Sequence, residues 1–474
     1  PAWSELAGLV AERDRGQRHL DSPAQQAQIE RNRLRRGRLL NLAAGDASDG
    51  LPLGEFATGT ESAAGHSSQE YGQSSPTTGP QDVVVYGGGL AARLAALAAA
   101  QEGVSVALLT PDSLTPDGLT GMLDLLGSLP GETGLVGDPI AAVDSLSDSH
   151  PLGRAGAAGV REALDRFDAV VGSTLAGSAT ERNGLVASPV GTPLPVARYP
   201  PSFEPGLLSR RANTLLVGFE SIPDFPAKFA AETLTNRVPY AVRGASIELC
   251  ATAPERPVRR LARALDRNER WPSDEPIRST LAQALDRVHE DEARIGLPSM
   301  LGVEATAEIR SELSAQLGAE VFELPVPAPS AAAIRLSDRL DAQLRAIGVE
   351  VRQRVEDLAL AGEDRIEAVD VQNGPRYEAS QVVLATGGVA AGGLTQGRSG
   401  VQEPTFGLPV EHQAGLAVGP DWRPRADGAV CHPNLRAAGS ILGGFDPATE
   451  HSQAGVAIVT GVQAGLAAAR EVTR

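Results

Sequence analysis

Cysteine is almost missing: 474 residues contain two, Cys250 and Cys431, far apart in sequence. An iron–sulfur cluster normally takes four thiolates, and a structural zinc takes four cysteine or histidine ligands at short spacing, so the chain carries no such centre of its own. The histidines His19, His66, His150, His289, His412, His432 and His451 are scattered, with no HxxxH or ExxH pairing to hold another metal. Lysine is equally scarce. Lys228 is the single one, arginine supplies the other cations, and the net charge is −17. Such a chain gives nucleic acid no electrostatic footing. No apolar run reaches ~18 residues, so a membrane-spanning helix is not expected. The polar first residues lack the apolar core of a secretory signal, and the expected compartment is the cytoplasm.

The content that is present divides the chain. Residues 1–80 read as a polar, flexible extension: a charged "QQAQIERNRLRRGRLLNL" followed by a Ser/Gly/Thr-rich stretch with little to bury. Beyond it, buried-strand runs alternate with helical ones, the pattern of an α/β protein. Residues 126–330 read as a second α/β domain inserted between 81–125 and 331–474, the two pieces of one discontinuous domain.

That domain opens on "DVVVYGGGLAARLAALAAAQEGVSVALLT", residues 82–110. A dinucleotide site needs a tight turn after the first strand, close backbone approach to a diphosphate, and a helix N-terminus aimed at that anion. Gly87, Gly88 and Gly89 supply turn and approach. Ala92 takes the third small position. The acid that commonly ends the second strand to bind a ribose is replaced by Thr110, and Asp112 lies two residues further on.

Two later segments fit the same site. "VVLATGG" ends a strand in Thr386, Gly387 and Gly388, where flavoproteins of the glutathione-reductase type bring the chain back beside the dinucleotide. "NLRAAGSILGGFDPATEHSQAG" places Gly439, Gly443, Gly444 and Asp446 before a last helix starting near Gly455. Glycines let backbone approach a flat ring, and a helix start favours negative charge developing on it. The fold expected is a Rossmann-type, glutathione-reductase-like flavin domain interrupted by a second α/β domain.

The segments "VVVYGGGLAARLAAL", "GMLDLLGSLPG", "IRLSDRL", "VVLATGG", "FGLP" and "GSILGGFDP" together resemble the B subunit of anaerobic glycerol-3-phosphate dehydrogenase in its haloarchaeal form, over residues 82–474. The resemblance implies a flavoprotein, FMN-linked by family description although the glycine turn suits FAD. It implies two partners, a catalytic A subunit together with an iron–sulfur, membrane-anchoring C subunit. The complex would oxidise sn-glycerol 3-phosphate to dihydroxyacetone phosphate and pass electrons to quinone, leaving this chain cytoplasmic and held at the membrane only through its partners. Departures are Ala92 for a glycine, a shorter stretch after Gly407, and "HSQAG", which is less glycine-rich than its family equivalent.

Arg335 and Arg198 occupy the most family-like settings among the arginines and are candidates for a phosphate or for pairing within the protein. His150, His432 and His451 are candidates for a base, which the chain does not need if oxidation occurs in the A subunit. No catalytic residue is assigned. Two other readings stay open: a scaffold subunit with a degenerate turn, and an independent flavin oxidase of another hydroxy acid.

Overall fold

The computed structural model describes residues 79–474 apart from 112–119, 178–181, 250–256, 271–273, 328, 356–357, 398–399 and 411–414. Almost all of the extension read at 1–80 lies outside these residues, as do Asp112, Cys250 and His412.

The first sheet is built on β1 (Gln81–Tyr86), which runs parallel to β2 (Val106–Leu109) on one side and, on the other, to the strand Arg376–Leu384. Helix α1 (Leu90–Gln101) makes the crossover from β1 to β2. Val83, Val84 and Val85 are wholly buried, as expected of a strand covered on both faces. Each such side chain contributes about 1.5–3 kcal/mol by leaving water. α1 is buried nearly all round, from Leu90 to Ala99, which explains its lack of a polar stripe.

The second sheet comes from the middle of the chain: β3 (Thr214–Phe219), β4 (Val242–Ile247), β5 (Arg294–Pro298) and β6 (Glu320–Leu324), all parallel, in the order β6-β5-β3-β4. Leu215, Val217 and Val321 face one apolar cluster and Leu216, Phe322 and Leu324 another, so this sheet too is covered on both faces. Its helices include Ala227–Thr235, Ile277–Asp286 and Thr306–Leu317.

Helix α2 (Ala331–Ala346) returns the chain to the first sheet. There β7 (Glu350–Arg352) pairs with β2, and a meander follows through β8 (Leu358–Ala361), β9 (Ala368–Val371) and β10 (Arg376–Leu384). The N-terminal half of β10 pairs antiparallel with β9. Its C-terminal half lies between β1 and the last strand, β11 (Leu435–Ala437), parallel to both.

The final helix, α3 (Gln453–Val472), packs backbone to backbone on α1. A Cβ added at Gly461 would sit 2.5 Å from the Ala91 carbonyl oxygen, and one at Gly465 2.2 Å from that of Ala95. Small residues four apart on both helices permit this approach. Among the described residues, no helix is long and apolar enough to cross a membrane.

α2 joins the two parts of the fold. On one side Arg335 forms a two-point pair with the wholly buried Glu323 of β6, at 2.8 and 3.0 Å. Ser202 Oγ and the Leu301 amide donate to the same carboxylate at 2.6 and 2.7 Å. Burial pushes the Glu323 pKa up, but the Arg335 charge and these hydrogen bonds outweigh it and leave the carboxyl below its ordinary range.

Candidate functional site at the carboxyl edge of the first sheet

Parallel register brings four strand ends to one edge. Tyr86 lies opposite both Leu109 and Leu384, and Leu384 lies opposite Ala437. The next residues continue the ladder: Gly87 N–H donates to Leu109 O (2.9 Å), Thr110 N–H to Arg352 O (2.9 Å), Ala385 N–H to Tyr86 O (2.8 Å) and Ala438 N–H to Leu384 O (2.9 Å). From β1 the chain crosses to β2 on one side, and β10 stands on the other. The connections therefore diverge at this point, where open α/β sheets bind their ligands.

Gly87 has φ +145°, and a Cβ on it would lie 2.1 Å from Ala385 O, so glycine is obligatory. That Cβ would also meet Ala92 Cβ at 3.2 Å; Ala92 is fully buried and fills the third small position without breaking the turn. A Cβ on Gly88 would lie 3.7 Å from Thr110 Cβ, an ordinary contact. A Cβ on Gly89, the residue that starts α1, meets nothing within 4 Å, and no side chain caps the helix there. The first amides of α1 have no acceptor one turn back, and Gly89 beside them is exposed.

Thr386–Gly388 and Gly439 close the same edge. Gly388 N–H donates to Ser440 Oγ (3.1 Å), joining the two loops. Gly439 N–H donates to Thr460 Oγ1 of α3 (2.8 Å), and a Cβ on Gly439 would strike Ala91 Cβ at 2.7 Å. Thr386 Oγ1 is buried with no hydrogen-bond partner. A glycine cradle, an uncapped helix start and an orphaned hydroxyl are the features a bound dinucleotide uses, and these residues fit one.

The remaining predicted residues form a second group, used for packing and capping. Gly443 N–H donates to Leu416 O (3.1 Å), and a Cβ on Gly444 would lie 2.1 Å from Ser149 O. Asp446 caps the single turn Pro447–Glu450 through Ala448 N–H (3.0 Å) and Thr449 Oγ1 (2.9 Å), and the Thr449 hydrogen bond first of all holds its carboxyl below the usual range. Gly455 lies against Leu125, where a Cβ would be 2.4 Å from the carbonyl oxygen. α3 begins at Gln453, two residues before the expected start.

The start of α3 is occupied by a residue that sequence reasoning passed over. Asp124 Oδ1 accepts from Ala454 N–H at 2.7 Å. Burial raises the Asp124 pKa, and the hydrogen bond from Ala454 and the neighbouring His451 only partly oppose it. The residue is half-buried. The signal was available, since Asp124 is the one charge in "GMLDLLGSLPG".

Arg93 was missed too, although it is the lone charge in "VVVYGGGLAARLAALAAA". It is fully buried and donates to Gly88 O (2.8 Å), Asp341 Oδ1 (3.0 Å) and Ser337 Oγ (3.1 Å). Burial lowers its pKa, opposed by Asp341.

Three of the other side-chain candidates are engaged elsewhere. Arg335 is committed to Glu323, and Arg198 to Asp168 at 2.8 Å. His150 Nδ1 accepts from Leu152 N–H (3.0 Å), which puts the ring proton on Nε2, 3.0 Å from Glu450 Oε2. Its basic nitrogen is taken, so it caps a helix. His451 adopts a left-handed conformation (φ +49°) beside Asp124. His432 precedes β11 at the opposite end from the glycine turn, and its Nδ1 is buried without a partner.

With this geometry in view, a protein-family model described as an FAD binding domain matches residues 82–456. A probable anaerobic glycerol-3-phosphate dehydrogenase B subunit of Halobacterium salinarum is 40% identical over 425 residues, covering 82% of this chain and 98% of that protein. The chain belongs to the family of anaerobic glycerol-3-phosphate dehydrogenase B subunits. A bacterial member, from Pectobacterium atrosepticum, is 29% identical over 80% of this chain and 96% of its own. Among solved structures, a flavocytochrome c3 fumarate reductase in its open conformation covers 85% of this chain and 80% of its own at 11% identity, with a TM-score of 0.34. The Rossmann-type α/β fold, the flavin and the oxidoreductase class read from the sequence hold for this family member. Of the two flavins considered, the family model names FAD.

Proposed function

We propose that the chain is the FAD-carrying B subunit of a membrane-bound glycerol-3-phosphate dehydrogenase. In this reading 81–125 and 331–474 make the flavin domain and 126–330 an inserted one. Gly87, Gly88, Gly89, Ala92 and Thr110 hold the diphosphate end, and Thr386, Gly387, Gly388 and Gly439 line the cofactor beyond it. Gly443, Gly444, Asp446 and Gly455 shape the loop at its far end through packing and capping. The observation that carries the proposal is the open glycine turn at the switch point of the parallel sheet, in a chain alignable to 98% of a haloarchaeal relative.

When bound, FAD supplies a two-electron acceptor. The chain's own part would be to hold it: amides at the start of α1 would favour its negative linkage and the glycines would admit it. The substrate of the complex is sn-glycerol 3-phosphate, oxidised to dihydroxyacetone phosphate. With two cysteines the chain cannot build an iron–sulfur relay. Electrons therefore leave through a partner, an iron–sulfur C subunit held at the membrane, toward quinone. The assembly is completed by a catalytic A subunit, which carries the alcohol chemistry.

Co-expression with the two partner subunits tests this reading. Quinone reduction driven by sn-glycerol 3-phosphate should require all three chains and should fall when FAD is stripped from this one. Full activity of a complex in which this chain is colourless would make it a scaffold. Turnover of a different hydroxy acid by the chain alone would make it an independent oxidase.

A further inference from the structure

We propose that Arg93, held by Ser337 and Asp341, is a positioning residue that aims the Gly89 amide of the glycine turn at the cofactor's diphosphate. The inference rests on the reading that this turn holds FAD.

Three consecutive glycines make the turn passable for a diphosphate but also leave its peptide planes free to flip, since no side chain restrains Gly87, Gly88 or Gly89. A flexible turn would have to be ordered on every binding event, at a cost in free energy. Arg93 removes that freedom. Its Nη1 donates to Gly88 O at 2.8 Å, its Nε to Asp341 Oδ1 at 3.0 Å and its Nη2 to Ser337 Oγ at 3.1 Å, so all three guanidinium nitrogens are engaged.

The direction follows from peptide geometry. In a planar trans peptide the C=O and the next N–H point opposite ways. Pinning the Gly88 carbonyl toward the protein interior therefore turns the Gly89 N–H away from it. Gly89 itself is exposed, and a Cβ there meets no atom within 4 Å. Packing does not explain the residue. Arg93 is wholly buried in an Ala/Leu helix where leucine would suit the row, and burying a charge is costly unless partners compensate it. The partners sit on α2, so the tie also links the turn to the helix that bears Arg335.

The test measures FAD affinity on the full chain, freed of flavin and reconstituted, alongside its unfolding midpoint. Arg93→Met should weaken FAD binding by at least about tenfold, the loss of one aimed charge-assisted hydrogen bond. Arg93→Lys keeps the charge and one donor and should recover part of that loss. Ser337→Ala, which leaves the Arg93–Asp341 pair in place and guards against a Met variant that does not fold, should weaken binding severalfold.

Combining Arg93→Met with Gly89→Ala distinguishes aim from general support. If Arg93 acts through the Gly89 amide, the double variant loses less than the product of the two single losses; independent structural damage would multiply. Folded Arg93→Met and Ser337→Ala proteins with wild-type FAD affinity would overturn the inference and leave the FAD reading intact. A wild-type chain that takes up no FAD would overturn that reading itself.

Discussion

Gly89→Ala separates the fold from the cofactor site more cleanly than any other single change. Gly89 has φ −80°, which alanine adopts freely, and an added Cβ meets no protein atom within 4 Å. Alanine is a poorer N-cap than glycine, so the exchange should cost up to about 1 kcal/mol in stability. The methyl group enters the open space before the first amides of α1, where the diphosphate is placed. Displacing the anion from one such amide forfeits a charged hydrogen bond of about 1.5–3 kcal/mol. That converts to roughly a 10- to 100-fold weaker FAD complex. Denaturant unfolding should give a midpoint close to wild type, while fluorescence titration of the flavin-free protein with FAD gives the weakened constant. Gly87→Ala is the control: its Cβ would collide with Ala385 O at 2.1 Å, so stability and binding should fall together. Unchanged FAD affinity in a folded Gly89→Ala protein would refute the placement of the cofactor at this turn.

Replacing Arg335 by methionine strands the buried Glu323 carboxylate and should cost about 3–5 kcal/mol, read as a lower urea midpoint. Because the Glu323 pKa is depressed in the folded chain, its contribution is present above the ordinary glutamate pKa near ~4.3 and is lost as pH falls through the folded value, so the gap between wild type and variant should be widest near neutral pH and close in acid. Asp124 has the opposite sign. Its raised pKa favours the protonated form on folding, a contribution complete below the ordinary aspartate value near ~3.9 and lost as pH rises through the folded one. Asp124→Asn should therefore unfold at an equal or higher midpoint at pH 7, the difference closing in acid. Asp124→Ala, which leaves the Ala454 amide without its acceptor, should lose about 1 kcal/mol by the same assay.

The strands and helices of the first sheet were legible because burial on both faces leaves plain marks. "VVVY" and "VVL" are unbroken apolar runs, and the helix between β1 and β2 is, Arg93 apart, built of small and apolar residues along its buried length. The glycine positions were legible wherever the chain packs closely on itself, at Gly87 against the Ala385 carbonyl and Gly439 against the Ala91 methyl. Less accessible was which glycines face a ligand and which face the chain itself. Gly444 and Gly455 look no different in sequence, yet their missing side chains make room for Ser149 and Leu125. Long-range partners were also invisible. Asp124 reaches a helix that begins 329 positions later, at Gln453, and Arg93 meets residues of α2. A lone charge in an apolar segment signals that such a partner exists, without saying where.

The central claim is that this sheet edge holds FAD, and the chromophore of the purified chain tests it most directly. An absorbance spectrum, followed by denaturation and mass spectrometry of what is released, should show a yellow protein yielding FAD in stoichiometric amount. Release of FMN would contradict the dinucleotide site, and a colourless chain that stays colourless after incubation with FAD would contradict the flavin altogether.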